Sequence, residues 1–178
     1  MTTEARLYCA SLSDYNAGRL EGKWIDISEM TDPMEIHEEI SEMLKDIDEY
    51  RNDGEIREEW AIHDFDLPAG IRCSEWASSE ELQSILDTLA AIKEHGEDVI
   101  EAANHCEIPL DQIENRYEGT HKSISDWAHD FYEQCGSIPE SHLADYIDWE
   151  SVARDEYYNG SITYHEVSFE EVVVFRNE

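Results

Sequence analysis

Carboxylates punctuate this chain from end to end, and that spread decides what it can fold into. Residues 1–67 hold 19 Asp and Glu against 6 Lys and Arg, residues 68–122 hold 12 against 4, and residues 123–178 hold 13 against 2. A disordered acidic tail concentrates its charge and lacks aromatics, whereas five Trp, nine Tyr and four Phe run through these same segments. The formal charge of −32 therefore belongs to a folded body, whose elements must bury an apolar face and turn carboxylates outward. With 178 residues, 40% of them apolar, the chain can bury a core as one domain or as two or three very small ones.

Hydrophobic periodicity locates the elements. Residues 5–12 and 23–27 read as strands joined by the turn formers Asp14, Asn16, Gly18 and Gly22. Thr31 or Asp32 caps a helix with Pro33 in its first turn and Glu35 or Glu38 placed to complete a capping box. Ile36, Ile40, Met43, Leu44 and Ile47 form its buried stripe, opposite Glu35, Glu38, Glu39, Glu42, Asp46 and Glu49. Residues 59–65 alternate as another strand, and Leu67, Pro68, Ala69 and Gly70 mark a boundary. From Ser78 a helix buries Leu82, Ile85, Leu86, Leu89 and Ile92 and ends at Gly96; a short helix over 97–105 turns Glu97, Asp98 and Glu101 outward. Pro109 starts a short helical piece, and residues 115–122 read as a polar connection. Ser123 or Ser125 caps a helix with Ile124, Trp127, Ala128 and Phe131 inward and Asp126, Asp130 and Glu133 outward. A last helical stretch, about 140–158, breaks near Asp148, and residues 161–167 and 172–176 form a closing hairpin.

Several chemistries are missing. There is no Gly-rich phosphate loop, Gly-x-Ser-x-Gly elbow or Walker lysine, so neither enzymatic activity nor a cofactor is expected. His37-Glu38-Glu39-Ile40-Ser41 lacks the second His of a zincin helix, and His105-Cys106 has no partner pair at zinc-finger spacing. The acids from Asp46 to Asp53 do not match a calcium loop with Gly54 at its sixth position, and His63-Asp64 alone is a weak match to a metal-dependent phosphohydrolase. Residues 1–12 carry no signal-peptide pattern and no segment approaches about 18 uninterrupted apolar residues, so a cytoplasmic protein is expected. Cys9, Cys73, Cys106 and Cys135 are far apart and are expected to be reduced.

So negative a surface repels nucleic acid and anionic lipid alike, and its natural partner is basic. Duplex DNA carries about one charge per 1.7 Å, so this chain matches the charge of about 16 base pairs. Residues three or four apart on a helix lie about 5–6 Å from one another, of the order of successive phosphates, so Glu35, Glu38, Glu39, Glu42 and Asp46 form a carboxylate track. Composition leaves two readings open: adaptation to high internal salt, or imitation of nucleic acid.

A resemblance favours the second. Residues 6–26 (RLYCASLSDYNAGRLEGKWID), 59–66 (EWAIHDFD), 92–96 (IKEHG), 115–119 (NRYEG), 126–136 (DWAHDFYEQCG), 143–155 (LADYIDWESVARD) and 173–176 (VVFR) resemble, in order, the ArdA antirestriction proteins of mobile elements. Residues 49–58 and 72–78 depart from that pattern. The resemblance implies a non-enzymatic mimic of B-form DNA that occupies the DNA-binding groove of type I restriction-modification enzymes, on the methyltransferase core. It implies an elongated α+β chain of three small domains, here 1–68, 69–106 and 107–178, with antiparallel strands, packed helices and a strongly acidic surface. Homodimerisation through the last domain is implied as well. The phosphate-mimicking acids would be Glu35, Glu38, Glu39, Glu42 and Asp46, then Glu97, Asp98 and Glu101, then Asp126, Asp130 and Glu133. Tyr146, Trp149, Tyr157 and Tyr158 are candidates for the dimer interface, where aromatics are enriched. The alternative partner is some other basic DNA-binding protein sequestered by an acidic adaptor.

Overall fold

The computed structural model describes residues 4–68 and 70–177. Met1–Thr3 of the segment compared with a signal peptide and Ala69 of the expected boundary lie outside the described residues. The chain is α+β and divides into two compact units, Met1–Glu97 and Asp98–Glu178. Segment 69–106, expected as a middle domain, supplies a helix to the first unit, and its second helix begins at the division.

In the first unit β1 (Arg6–Ser11) lies between β2 (Gly22–Asp26) and β3 (Trp60–Asp66), antiparallel to both. Gly22 faces Ala10, and a Cβ there would stand 2.3 Å from the Cys9 carbonyl oxygen, so only glycine allows the β1–β2 approach. The turn expected between these strands contains a short helix instead, α1 (Leu12–Asn16), capped by Ser11. The acidic helix α2 (Pro33–Arg51) packs against β2 and against α3 (Ser79–His95). Ile36, Ile40, Met43, Leu44 and Ile47 form its buried stripe, joined in one core by Leu7, Ile25, Ile62, Leu82, Ile85, Leu86 and Leu89. Each such fully buried aliphatic side chain contributes roughly 1.5–3 kcal/mol.

Among the described residues, four helices and a second sheet follow. α4 (Glu97–His105) is followed by a 3-10 turn over Leu110–Gln112, α5 (Ile113–Arg116), β4 (Tyr117–His121), α6 (Ile124–Gln134), a second 3-10 turn over His142–Tyr146, α7 (Trp149–Tyr158), β5 (Ile162–Ser168) and β6 (Glu171–Arg176). The helical piece expected from Pro109 is the first 3-10 turn and α5, and the segment 115–122, expected to be a polar connection, holds the end of α5 and all of β4. The sheet order is β4-β6-β5, all antiparallel. Val172 and Val174 of β6 meet Trp127, Ala128 and Ala153 of α6 and α7, while Val173 and Phe175, on the opposite face, are also fully buried. A central strand covered on both faces explains the unbroken Val-Val-Val-Phe run. The break near Asp148 is its role as N-cap of α7, where its side chain accepts from the Ser151 N–H at 3.1 Å.

Candidate functional site

The acid face of α2 starts at its cap. Asp32 accepts from the Met34 N–H at 2.8 Å, and Glu35 accepts from the backbone N–H groups of Thr31 and Asp32 at 2.9 and 3.1 Å, closing a capping box. These backbone donors, Thr31 first, hold the Glu35 carboxyl below its usual range. Glu38, Glu42 and Asp46 follow at helical spacing, and all three are exposed. Glu39 is half-buried and 2.8 Å from Lys23 Nζ, whose pKa this hydrogen bond raises, with smaller contributions from Glu42 and Asp46. Two of the five expected acids therefore have local duties, one in capping and one in an ion pair.

On α4 all three expected acids are exposed, but Glu97 closes the first unit whereas Asp98 and Glu101 belong to the second. On α6, Ser123 is the cap: it accepts from the Asp126 N–H at 3.1 Å and donates to that carboxylate at 2.6 Å. Asp130 sits between His121 and His129, its oxygens 3.4 and 3.5 Å from their Nδ1 atoms, and Glu133 is exposed.

Of the four aromatics expected at an interface, Tyr146 and Tyr158 are 81% and 75% exposed and Tyr157 is 44% exposed. Trp149 instead packs against the core of the second unit, its ring 5.2 Å from His129 and 6.1 Å from Tyr132.

A further cluster does not emerge from sequence patterning. Asp14, expected as a turn former, is fully buried in α1 and bonds Arg57, itself 4% exposed, from the loop that departs from the family pattern. Arg57 Nη1 donates to Asp48 at 2.7 Å and Nη2 to Asp53 at 3.0 Å, while Arg19 donates to Asp14 at 2.7 Å. The Arg57 and Arg19 guanidiniums, with the Ser11 hydroxyl, hold the Asp14 carboxyl far below the carboxylate range against its desolvation. One cation, Arg57, standing amid Asp53, Glu55, Glu58 and Glu59, is the only signal of this network in the sequence. Arg6 with Asp66, Arg51 with Glu21, Lys93 with Glu29 and Arg176 with Glu118 likewise tie basic side chains to carboxylates.

No disulfide links the four cysteines, and burial pushes the thiol of Cys9 up to about 12 and that of Cys73 up to about 11. His63 and Asp64 line two 420 Å³ cavities on the first sheet, one also lined by Tyr8, Leu20 and Trp24, but no third metal-ligating group joins them among the described residues. Two other groups do bring three such ligands together, with their ligand atoms within 4.8 Å of one another: Glu101, His105 and His165, and His129, Asp130 and Glu133. Among the described residues no helix is long and apolar enough to cross a membrane.

The sequence model of the family described as antirestriction protein (ArdA) matches residues 7–171, nearly the whole chain. No curated protein matches it.

Proposed function

The chain belongs to the ArdA antirestriction family, and from that premise we propose that it is a stoichiometric, non-catalytic inhibitor that imitates B-form DNA in the DNA-binding groove of a type I restriction-modification enzyme. The observation that carries this reading is the exposed face of α2, where Glu38, Glu42 and Asp46 recur at one-turn intervals. Such carboxylates stand about 5–6 Å apart, and a groove built for phosphates meets them as it would a DNA strand. The reach of charge to every segment supports a long contact.

The remaining exposed acids, Asp98, Glu101, Asp126 and Glu133, extend the proposed surface, together with Glu97 and Asp130. The three-part elongated organisation and a cytoplasmic homodimer through the C-terminal segment belong to the same proposal. Two chains would carry −64, the charge of about 32 base pairs. Competition tests it: the purified protein is added to a type I methyltransferase bound to fluorescent DNA. Stoichiometric displacement that weakens with salt is expected. DNA that stays bound under excess protein would overturn the mimic reading.

A further inference from the structure

We propose that Glu101, His105 and His165, of which Glu101 also belongs to the proposed acidic surface, form a binding site for a divalent transition-metal ion of zinc type in the second unit. Glu101 and His105 lie four residues apart on α4, one turn, so both side chains leave the same helix face. His165 approaches from β5, and one ligand atom from each of the three lies within 4.8 Å of the others. An ion at their centre would thus be held by two imidazoles and a carboxylate, a donor set for zinc, cobalt or nickel rather than for the oxygen-seeking calcium and magnesium.

A hydrogen bond already orients the His105 ring. Its Nδ1 lies 3.2 Å from the backbone carbonyl of Glu101, an acceptor, so Nδ1 is the donor in that bond and Nε2 is the nitrogen left to face an ion. A ligating histidine is commonly oriented by a bond of this kind through its other nitrogen. The His105 and His165 rings stack at 3.9 Å with an angle of 16° between them. Parallel rings do not both aim at one point, so ion binding turns one of them and breaks the stack. Glu101 and His105 are exposed and His165 is half-buried, which leaves the site open to solvent and its ion exchangeable. The negative charge of the chain raises the local concentration of cations. The group His129, Asp130 and Glu133 is the weaker candidate: it draws on one helix and one imidazole, and Asp130 is shared with His121.

The test is calorimetric titration of the full chain with Zn²⁺ alone, with the histidine ring resonances followed by NMR. One ion per chain is expected, with the His105 and His165 signals shifting together. His105→Ala and His165→Ala should each weaken binding by at least about tenfold, the loss typical even of outer-shell changes at metal sites. Glu101→Gln, on an exposed helix face, should weaken it with the fold unchanged, and His129→Ala should leave it intact. Absence of binding overturns the proposal, as does affinity that survives in the His105→Ala/His165→Ala protein or follows His129 instead.

Discussion

Asp14 and Arg57 lie 43 residues apart and meet where neither side chain touches water. Removing one member of a buried ion pair strands the other, so Arg57→Ala should destabilise the first unit by on the order of 3 kcal/mol, measured by urea denaturation. Asp14 also predicts a pH dependence. Its folded pKa lies below the unfolded value of about 3.9. Its stabilisation is therefore present above that value and is lost as pH falls from about 4 toward the folded pKa. Urea midpoints of Asp14→Asn should fall less steeply over that acid window than those of the unaltered protein. At the same scale, Trp149→Ala should cost about 2 kcal/mol or more, because its ring packs against the core. Tyr146→Ala and Tyr158→Ala should leave stability nearly unchanged and shift sedimentation toward monomer if these exposed rings meet a second copy.

At the scale of elements, the carboxylate face of α2 should act as a set. Exposed ion pairs are worth about 0.2–1 kcal/mol each, so Glu42→Gln alone should weaken inhibition by less than about fivefold. Glu38→Gln, Glu42→Gln and Asp46→Asn together should weaken it by up to about a hundredfold and flatten its salt dependence. Full inhibition by that folded triple variant would count against mimicry. The helices themselves were legible because capping and periodicity are local: Asp32, Ser78 and Ser123 stand where their side chains accept the first helical N–H groups. α1 and β4 were not. α1 has five residues, too few for a period, and β4 is an edge strand whose Tyr-Glu-Gly-Thr-His sequence is polar because much of it faces solvent.

Over the whole molecule, a net charge of −32 costs stability through self-repulsion, which salt screens beyond roughly 8 Å at physiological strength. Added NaCl should therefore raise the melting temperature of the free protein while weakening its inhibition of a basic partner, two opposite trends from one cause. A fall in melting temperature with salt would count against self-repulsion as the dominant effect. The antirestriction family, the α+β class and the amphipathic helices can be read along the chain, because they rest on local order: motifs, caps, and apolar residues at helical or strand spacing. Which carboxylates are engaged emerges from the folded arrangement alone. Asp14 is sealed against Arg57, Glu39 is tied to Lys23, Glu35 closes a cap, and Glu101 stands beside two histidines. Sequence spacing measures neighbours along one element, whereas a carboxylate's role depends on the cations and donors that other segments bring to it, and long-range folding alone sets those.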